Sequence, residues 1–164
     1  MTVERVISGG QTGVDRAALD CALEMGIACG GWCPLGRKAE DGPIDKKYPL
    51  TETLSAKYAK RTKWNVRDSD GTLILTCGSP TGGTALTQSL AECMHKPLLV
   101  VDLLQKPSVA NITDWLKDAR IRVLNVAGPR AESQPDVYDR VRAFLHQVLQ
   151  TASFHGDVEM EDSR

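Results

Sequence analysis

Two hydrophobic patterns alternate along the chain. Short continuous apolar runs predict strands that are covered on both faces, and longer segments with apolar residues every three or four positions predict one-sided helices. The strongest helix signal covers residues 14–25, where small apolar residues recur along one stripe. The predicted strands are 3–7, 27–32, 72–76, 98–101 and 121–127, and the predicted helices are 14–25, 55–67, 85–94, 111–119 and 135–151.

This alternation of strands and helices predicts an α/β fold. Its expected form is a Rossmann-like, doubly wound, mainly parallel sheet with helices on both faces. Ligands of such folds bind beyond the carboxyl ends of the strands. Three glycine-containing turns, at 9–13, 79–84 and 128–130, directly follow predicted strands. We therefore expect all three turns to open on one edge of the sheet.

The first of these turns joins a strand to a helix and has the sequence Gly-Gly-Gln-Thr-Gly. Its glycines permit a positive φ and a close ligand approach, and the start of the following helix attracts anions. Thr12 is the predicted N-cap, and Asp15 is expected either to cap the backbone or to contact the ligand. The spacing matches neither the dinucleotide fingerprint nor the P-loop, and no lysine follows, which argues against an NTPase.

The second turn repeats this arrangement, and Thr81 and Thr84 add hydroxyl donors to its backbone N–H groups. A tight strand-to-helix turn is the simpler interpretation of either turn alone, but two such turns at one edge favour a phosphate site. The predicted ligand-binding residues are Gly9, Gly10, Gln11, Thr12, Gly13, Asp15, Arg37, Arg61, Ser79, Thr81, Gly82, Gly83 and Thr84.

A long, proline- and glycine-containing loop at 33–53 is the other candidate functional segment. Arg37 in this loop either clamps a phosphate or a ring carbonyl, as the arginine fork allows, or belongs to a solvated loop. Arg61 and Asn65 share a helix face and are expected to pin the loop or to contact the ligand. Cys33 and Cys77 follow strands, where they are either soft-metal ligands or small buried side chains; no metal site is predicted.

Length and charge narrow the class of protein. The 164 residues predict one ligand-binding domain at 1–152 and an acidic tail at 153–164. The formal net charge of -1 argues against a nucleic-acid binder, and no apolar run is long enough to span a bilayer. Five cysteines without a repeated CxxC pair and the lack of a signal peptide favour a cytoplasmic protein with reduced thiols.

With these motifs together, the chain resembles the molybdenum cofactor carrier family, within a Rossmann-like superfamily that includes the lysine-decarboxylase-like phosphoribohydrolases. The resemblance implies that the two glycine turns, assisted by Arg37 and Arg61, hold molybdopterin or the molybdenum cofactor. It also implies a homo-oligomer. The motifs that carry the resemblance lie at 8–20, 31–34, 36–37, 39–44, 61–62, 65–66, 68–72 and 81–84.

The chain departs from the hydrolase branch in the second turn. Those enzymes carry a Gly-Gly-x-Gly-Thr-x-x-Glu motif, and the position of its catalytic glutamate falls on Thr87, with Gln88 next. Neither side chain is a carboxylate, so no catalytic residue is predicted and a binding protein is preferred. Two alternatives remain: a phosphoribohydrolase-like enzyme acting on nucleoside monophosphates with Glu40, Asp41 or Asp15 as its acid, and a nucleotide-sensing module.

Overall fold

The computed structural model describes the backbone of residues 3–161 and the side chains of residues 3–153. The predicted tail at 153–164 therefore lies almost entirely outside the described side chains. The strands are β1 (Arg5–Ile7), β2 (Ala28–Gly30), β3 (Trp32–Cys33), β4 (Lys38–Ala39), β5 (Gly42–Pro43), β6 (Thr51–Glu52), β7 (Gly71–Thr76), β8 (Leu98–Asp102) and β9 (Val123–Ala127). The α-helices are α1 (Val14–Glu24), α2 (Tyr58–Arg67), α3 (Gly82–Cys93), α4 (Val109–Asp118) and α5 (Val137–Glu161).

A five-stranded sheet with the order β2-β1-β9-β7-β8 forms the centre of the fold, and every neighbouring pair in it is parallel. Helix α5 packs against both α1 and α4, whereas α2 packs against α3. The predicted doubly wound α/β architecture is therefore confirmed. The chain leaves β1 towards one edge of the sheet and leaves β7 towards the other, so the crevice of the fold lies above the central strands.

The core explains why the apolar runs become central strands. All six residues of β7 are buried, as expected for a strand covered on both faces. Helix α1 presents small residues, including Ala17, Ala18 and Ala22, which are completely buried and allow it to pack closely. Leu73 and Leu124 on neighbouring strands are also fully buried, and each such leucine contributes about 1.5–3 kcal/mol through removal from water.

The predicted strand at 27–32 is divided in two. Gly31 has a φ of 124°, and an added Cβ would lie 2.5 Å from the carbonyl oxygen of Ser8. The chain turns at this glycine, so β2 joins the central sheet while β3 pairs with β6 of the long loop. Together with the β4–β5 hairpin, this pairing gives the loop at 33–53 regular structure of its own.

The predicted apolar stripe of α3 is wrong in its direction. The buried residues of this helix are Thr84, Thr87 and Ala91, whereas Leu86 is 38% exposed and Cys93 is also exposed. The side of α3 that carries the threonines packs inward because it lies beside β7, and the more apolar side faces outward. The homo-oligomer expected from the resemblance stays a prediction. Over the described residues, no helix combines the length and hydropathy needed to cross a membrane.

Candidate functional site

A cavity of about 280 Å³ opens at the carboxyl ends of the central strands. Turns after β1, β7 and β9 contribute to its wall, as the alternation of strands and helices predicts. One face of α2, carrying Tyr58, Arg61 and Asn65, closes another side. The cavity therefore lies at the crevice where ligands of doubly wound sheets bind, and its size suits a ligand of about mononucleotide dimensions.

The start of α3 is the part of this cavity best suited to an anion. Its N-cap, Thr81, makes no side-chain capping bond, and the first turn contains no acidic residue. Thr84 and Ala85 are the first residues whose backbone N–H groups form hydrogen bonds within the helix. They donate to the carbonyl of Thr81 at 3.1 and 3.2 Å. Within residues 3–161, the N–H groups of Gly82 and Gly83 have no hydrogen-bond partner, so two donors and the positive helix end remain available.

Two further details show that this end of α3 is kept open. Thr84 is only 6% exposed, yet its hydroxyl makes no hydrogen bond with any described residue while it lines the cavity. An added Cβ on Gly83 would meet nothing within 4 Å. Neither packing nor a positive φ requires glycine there. The lack of a side chain leaves the backbone open to close approach by a ligand.

Three backbone donors of the first glycine turn are used within the protein. The N–H of Gln11 donates to Asp15 Oδ2 at 3.2 Å, that of Thr12 to Gln11 Oε1 at 3.1 Å, and that of Val14 to the Pro129 carbonyl at 3.1 Å. Gly13, with a φ of 79°, is the N-cap of α1, so the prediction that Thr12 caps this helix is wrong. Of the two turns in the predicted phosphate cradle, the second is the more open, because Gly82 and Gly83 are exposed whereas Gly10 and Gly13 are buried.

Half of the residues predicted in the first turn lie outside the cavity. Gly10 packs beneath the long loop, where an added Cβ would lie 2.5 Å from Leu50 Cδ1. Thr12 donates its hydroxyl hydrogen to Glu40 and accepts the N–H of Ala131 at 3.1 Å. Gly13 lies against the Pro129–Ala131 backbone, which leaves no room for a side chain. The residues of this segment that line the cavity are Gly9, Gln11 and Asp15.

A buried pair of opposite charges lies in the cavity wall. Asp15 and Arg61 are 7% and 8% exposed, and both line the cavity. Arg61 donates from Nη1 to the carbonyl of Gly9 at 2.7 Å and from Nε to the hydroxyl of Thr62 at 3.3 Å. Burial raises the pKa of the Asp15 carboxyl, and the nearby Arg61 charge acts in the opposite direction. Asp15 is the one acidic residue among the described residues of the cavity wall.

Arg37 lies elsewhere and holds the long loop together. Its guanidinium donates to the carbonyls of Ile44 at 2.9 Å, Leu50 at 3.2 Å, and Asp45 and Tyr48 at 2.8 Å each. It does not line the cavity. The geometry thus gives this side chain the task of organising the loop, which differs from the ligand clamp expected from the sequence.

The loop at 33–53 is fastened to the first helix and the first turn. Arg16 forms a two-point ion pair with Asp41, with N–O distances of 2.6 and 2.9 Å. Glu40 accepts the N–H of Glu132 at 3.1 Å and bonds to the Thr12 hydroxyl. The sequence offered these two acidic residues beside Asp15 as candidate acids. Asp41 is paired through both oxygens, whereas Glu40 uses only Oε1, and its Oε2 has no hydrogen-bond partner among the described residues.

Other expected residues have structural tasks. Asn65 accepts the N–H of Trp32 at 2.7 Å and donates to its carbonyl at 3.0 Å, so it pins the loop, one of the two expected roles. Ser79 does not line the cavity. Burial raises the pKa of the Cys33 thiol, which disfavours the thiolate needed for a soft metal. No group of three potential metal ligands occurs in the part of the chain that the structure describes.

Sequence reasoning missed several cavity residues. Asn125, 2% exposed, lies on β9 and donates from Nδ2 to Thr72 Oγ1 at 3.1 Å. A single amide within the apolar run of a central strand was the signal that could have identified it. Gln134 also lines the cavity and holds the end of β7, where its Nε2 donates to the Cys77 carbonyl at 2.7 Å. Such a long-range partner has no local sequence signal.

Together, the sheet and the cavity define a doubly wound α/β protein with a cavity at its crevice. If the five strands are numbered from β9 onward, their order becomes 3-2-1-4-5, the order of the first five strands of a dinucleotide-binding sheet, with the chain circularly permuted. Residues 6–149 match the family model described as the circularly permutated YpsA SLOG family. The chain belongs to this family.

A solved structure gives a second comparison. The chain is similar to a protein from Syntrophus aciditrophicus described as a "putative molybdenum carrier protein", whose crystal structure was determined at 1.45 Å resolution. The two are 45% identical, the match covers 90% of this chain and 96% of the other, and the TM-score is 0.86. A search of curated proteins finds no significant match. The predicted family resemblance is thus confirmed.

Proposed function

We propose that this protein binds and carries a phosphorylated heterocycle, and that the ligand is molybdopterin or the molybdenum cofactor. The open start of α3 is the observation that supports binding: two unpartnered N–H groups, an uncompensated helix end and the Thr84 hydroxyl meet at one cavity. Such a place accepts a phosphate without any catalytic group. The description of the similar Syntrophus aciditrophicus protein supports the choice of ligand.

The residues present fit such a ligand. Gly82, Gly83 and Thr84 offer donors to a phosphate, and Arg61 offers a guanidinium to a ring carbonyl. Tyr58 contributes an aromatic ring to the wall, stacked near the Arg61 guanidinium at 5.1 Å. A carrier needs only these contacts and an opening for release, because the chemistry of the bound group is performed elsewhere.

Substituting Gly83 by valine tests this proposal. The added side chain enters open space in front of the two free N–H groups, so we expect at least a tenfold loss of affinity for 6-hydroxymethylpterin monophosphate, a stable pterin phosphate. Isothermal titration calorimetry measures the loss. Ser89→Val, an exposed position on the same helix outside the cavity, serves as the matched control and should bind as the unmodified protein does. Unchanged binding by the Gly83 variant would contradict the assignment.

An enzyme that cleaves nucleoside monophosphates is the second candidate, and one observation favours it. Asp15 is a buried carboxylic acid in the cavity, and burial raises its pKa, as catalytic acids often require. Against it, Thr87 occupies the position of the hydrolase glutamate and donates its hydroxyl to the Gly83 carbonyl at 3.0 Å. Steady release of free base from nucleoside monophosphates, lost in Asp15→Asn, would establish the enzyme and displace the carrier proposal.

A further inference from the structure

The cavity combines two chemically different sets of groups. Donors lie at the start of α3, where Gly82 and Gly83 present free N–H groups. Acceptors lie beyond β1 and β9, where the Asp15 carboxylate and the Asn125 amide line the cavity. The carboxylate would repel a phosphate, so the ligand must bring its anion to α3 and something else to Asp15.

Asp15 retains capacity to accept hydrogen bonds from a ligand. Its Oδ2 atom accepts the N–H of Gln11 at 3.2 Å, whereas the nearby Ser8 hydroxyl donates its hydrogen to the Val126 carbonyl at 2.7 Å. A carboxylate offers about four acceptor sites, so at least about two remain for a ligand. An acceptor pair buried in a cavity wall is satisfied best by two adjacent N–H donors.

Arg61 supplies a donor to the same wall. Its Nη1 and Nε atoms are used by Gly9 and Thr62, while Nη2 has no hydrogen-bond partner within the described side chains. The guanidinium is near enough to Asp15 to stabilise the carboxylate electrostatically. The wall therefore offers one donor beside two acceptors.

We propose that Asp15 and Arg61 recognise the 2-amino-4-oxopyrimidine edge of a heterocycle, with Asp15 as the specificity-determining residue. This edge presents a carbonyl, a ring N–H and an amino group in a row, the complement of the donor and the two acceptors. Guanine and pterin carry this edge. Hypoxanthine lacks the amino group, xanthine replaces it with a carbonyl, and adenine presents an amino group beside a bare ring nitrogen. The inference rests on the proposed function, because the phosphate at α3 places the ring.

Calorimetry with GMP, IMP, XMP and AMP tests the recognition while the ribose phosphate stays constant. We expect GMP to bind at least tenfold more tightly than IMP, because the missing amino group leaves Asp15 with an unsatisfied acceptor, and XMP and AMP to bind more weakly still. Equal affinities for the four nucleotides would overturn the inference and leave the phosphate site standing. If neither the nucleotides nor 6-hydroxymethylpterin monophosphate binds, both the inference and the proposed function are wrong. GMP carries this edge on a guanine and 6-hydroxymethylpterin monophosphate carries it on a pterin. Whichever of the two binds more tightly identifies the class of heterocycle that the protein takes.

Asp15→Asn gives the reciprocal test. The amide keeps one acceptor and replaces the other with a donor, so the preferred edge becomes carbonyl, N–H, carbonyl, and XMP should replace GMP as the tightest ligand. Asp41→Asn, an exposed carboxylate paired with Arg16 outside the cavity, is the matched control and should keep the GMP preference. An Asp15 variant that binds the four nucleotides in the original order would contradict the role of this side chain. The ranking by the unmodified protein decides the matter even where the variant fails to fold.

Discussion

Replacing Arg61 with methionine is expected to lower the free energy of unfolding by about 3–5 kcal/mol, because the change leaves Asp15 buried without its opposite charge. The substitution also removes the donor that satisfies the Gly9 carbonyl at 2.7 Å. We further expect GMP affinity to fall about a hundredfold, about 2.7 kcal/mol, since the guanidinium is the proposed donor to the ring carbonyl. Urea titration and calorimetry measure the two effects separately.

A double variant distinguishes the charge pair from simple loss of packing. Arg61→Met combined with Asp15→Asn removes both charges, and we expect it to recover at least half of the stability lost by the single Arg61 change. Arg61→Lys keeps the positive charge but loses the planar set of guanidinium donors. We therefore expect a smaller loss in its free energy of unfolding than in its free energy of GMP binding. A double variant whose loss of stability equals the sum of the losses in Arg61→Met and Asp15→Asn would show that the pair has no energetic coupling.

Substituting Gly128 by alanine is expected to cost at least about 3 kcal/mol or to prevent folding. This glycine ends β9 under the cavity, where an added Cβ would meet the Leu75 carbonyl oxygen and lie 2.6 Å from Val14 Cγ2. The carbonyl belongs to the neighbouring central strand, so backbone of both β7 and β9 would have to move. Thermal unfolding measures the loss.

Gly83→Ala provides the contrast for that experiment. Both changes add one methyl group at the edge of the same cavity, but nothing lies within 4 Å of the Cβ at Gly83. Alanine is favoured over glycine within a helix by about 0.8–1.0 kcal/mol, so this variant should be as stable as the unmodified protein or slightly more stable. If the two alanine variants unfold alike, close packing is not the reason for glycine at Gly128.

The architecture could be predicted because its signals are local. The continuous apolar run of β7 and the small-residue stripe of α1 each define an element without reference to distant parts of the chain. The open turn at Thr81–Thr84 was identified for the same reason, since its glycines and threonines follow the apolar run of a predicted strand in the sequence. Local sequence signals of this kind predict that a ligand site lies at the edge of the sheet.

The first turn shows where local reasoning fails. Its glycines look like those of the second turn, but several of its polar groups are already used. The Val14 N–H is bound by Pro129 and the Gln11 N–H by Asp15, and the Thr12 hydroxyl is bound by Glu40. Arg37 was misjudged similarly, because its partners are carbonyls that only the folded loop brings together. Which of two similar turns remains free for a ligand depends on contacts between segments far apart in sequence.

The position of β9 also bears on how the protein acquires its structure during synthesis. Among the described strands β9 emerges last from the ribosome, yet it separates β1 from β7 in the finished sheet. Until residue 127 is available, the strands of the central sheet can form only a β1–β2 pair and a β7–β8 pair, each with an unsatisfied edge. Joining them requires contacts across more than a hundred residues of chain, such as that between Arg5 and Val123, and such distant pairing is slow. The permuted order therefore leaves the unpaired edges of two strand pairs exposed during translation. The cavity at the ends of the central strands forms in a single late step, when β9 joins the two pairs.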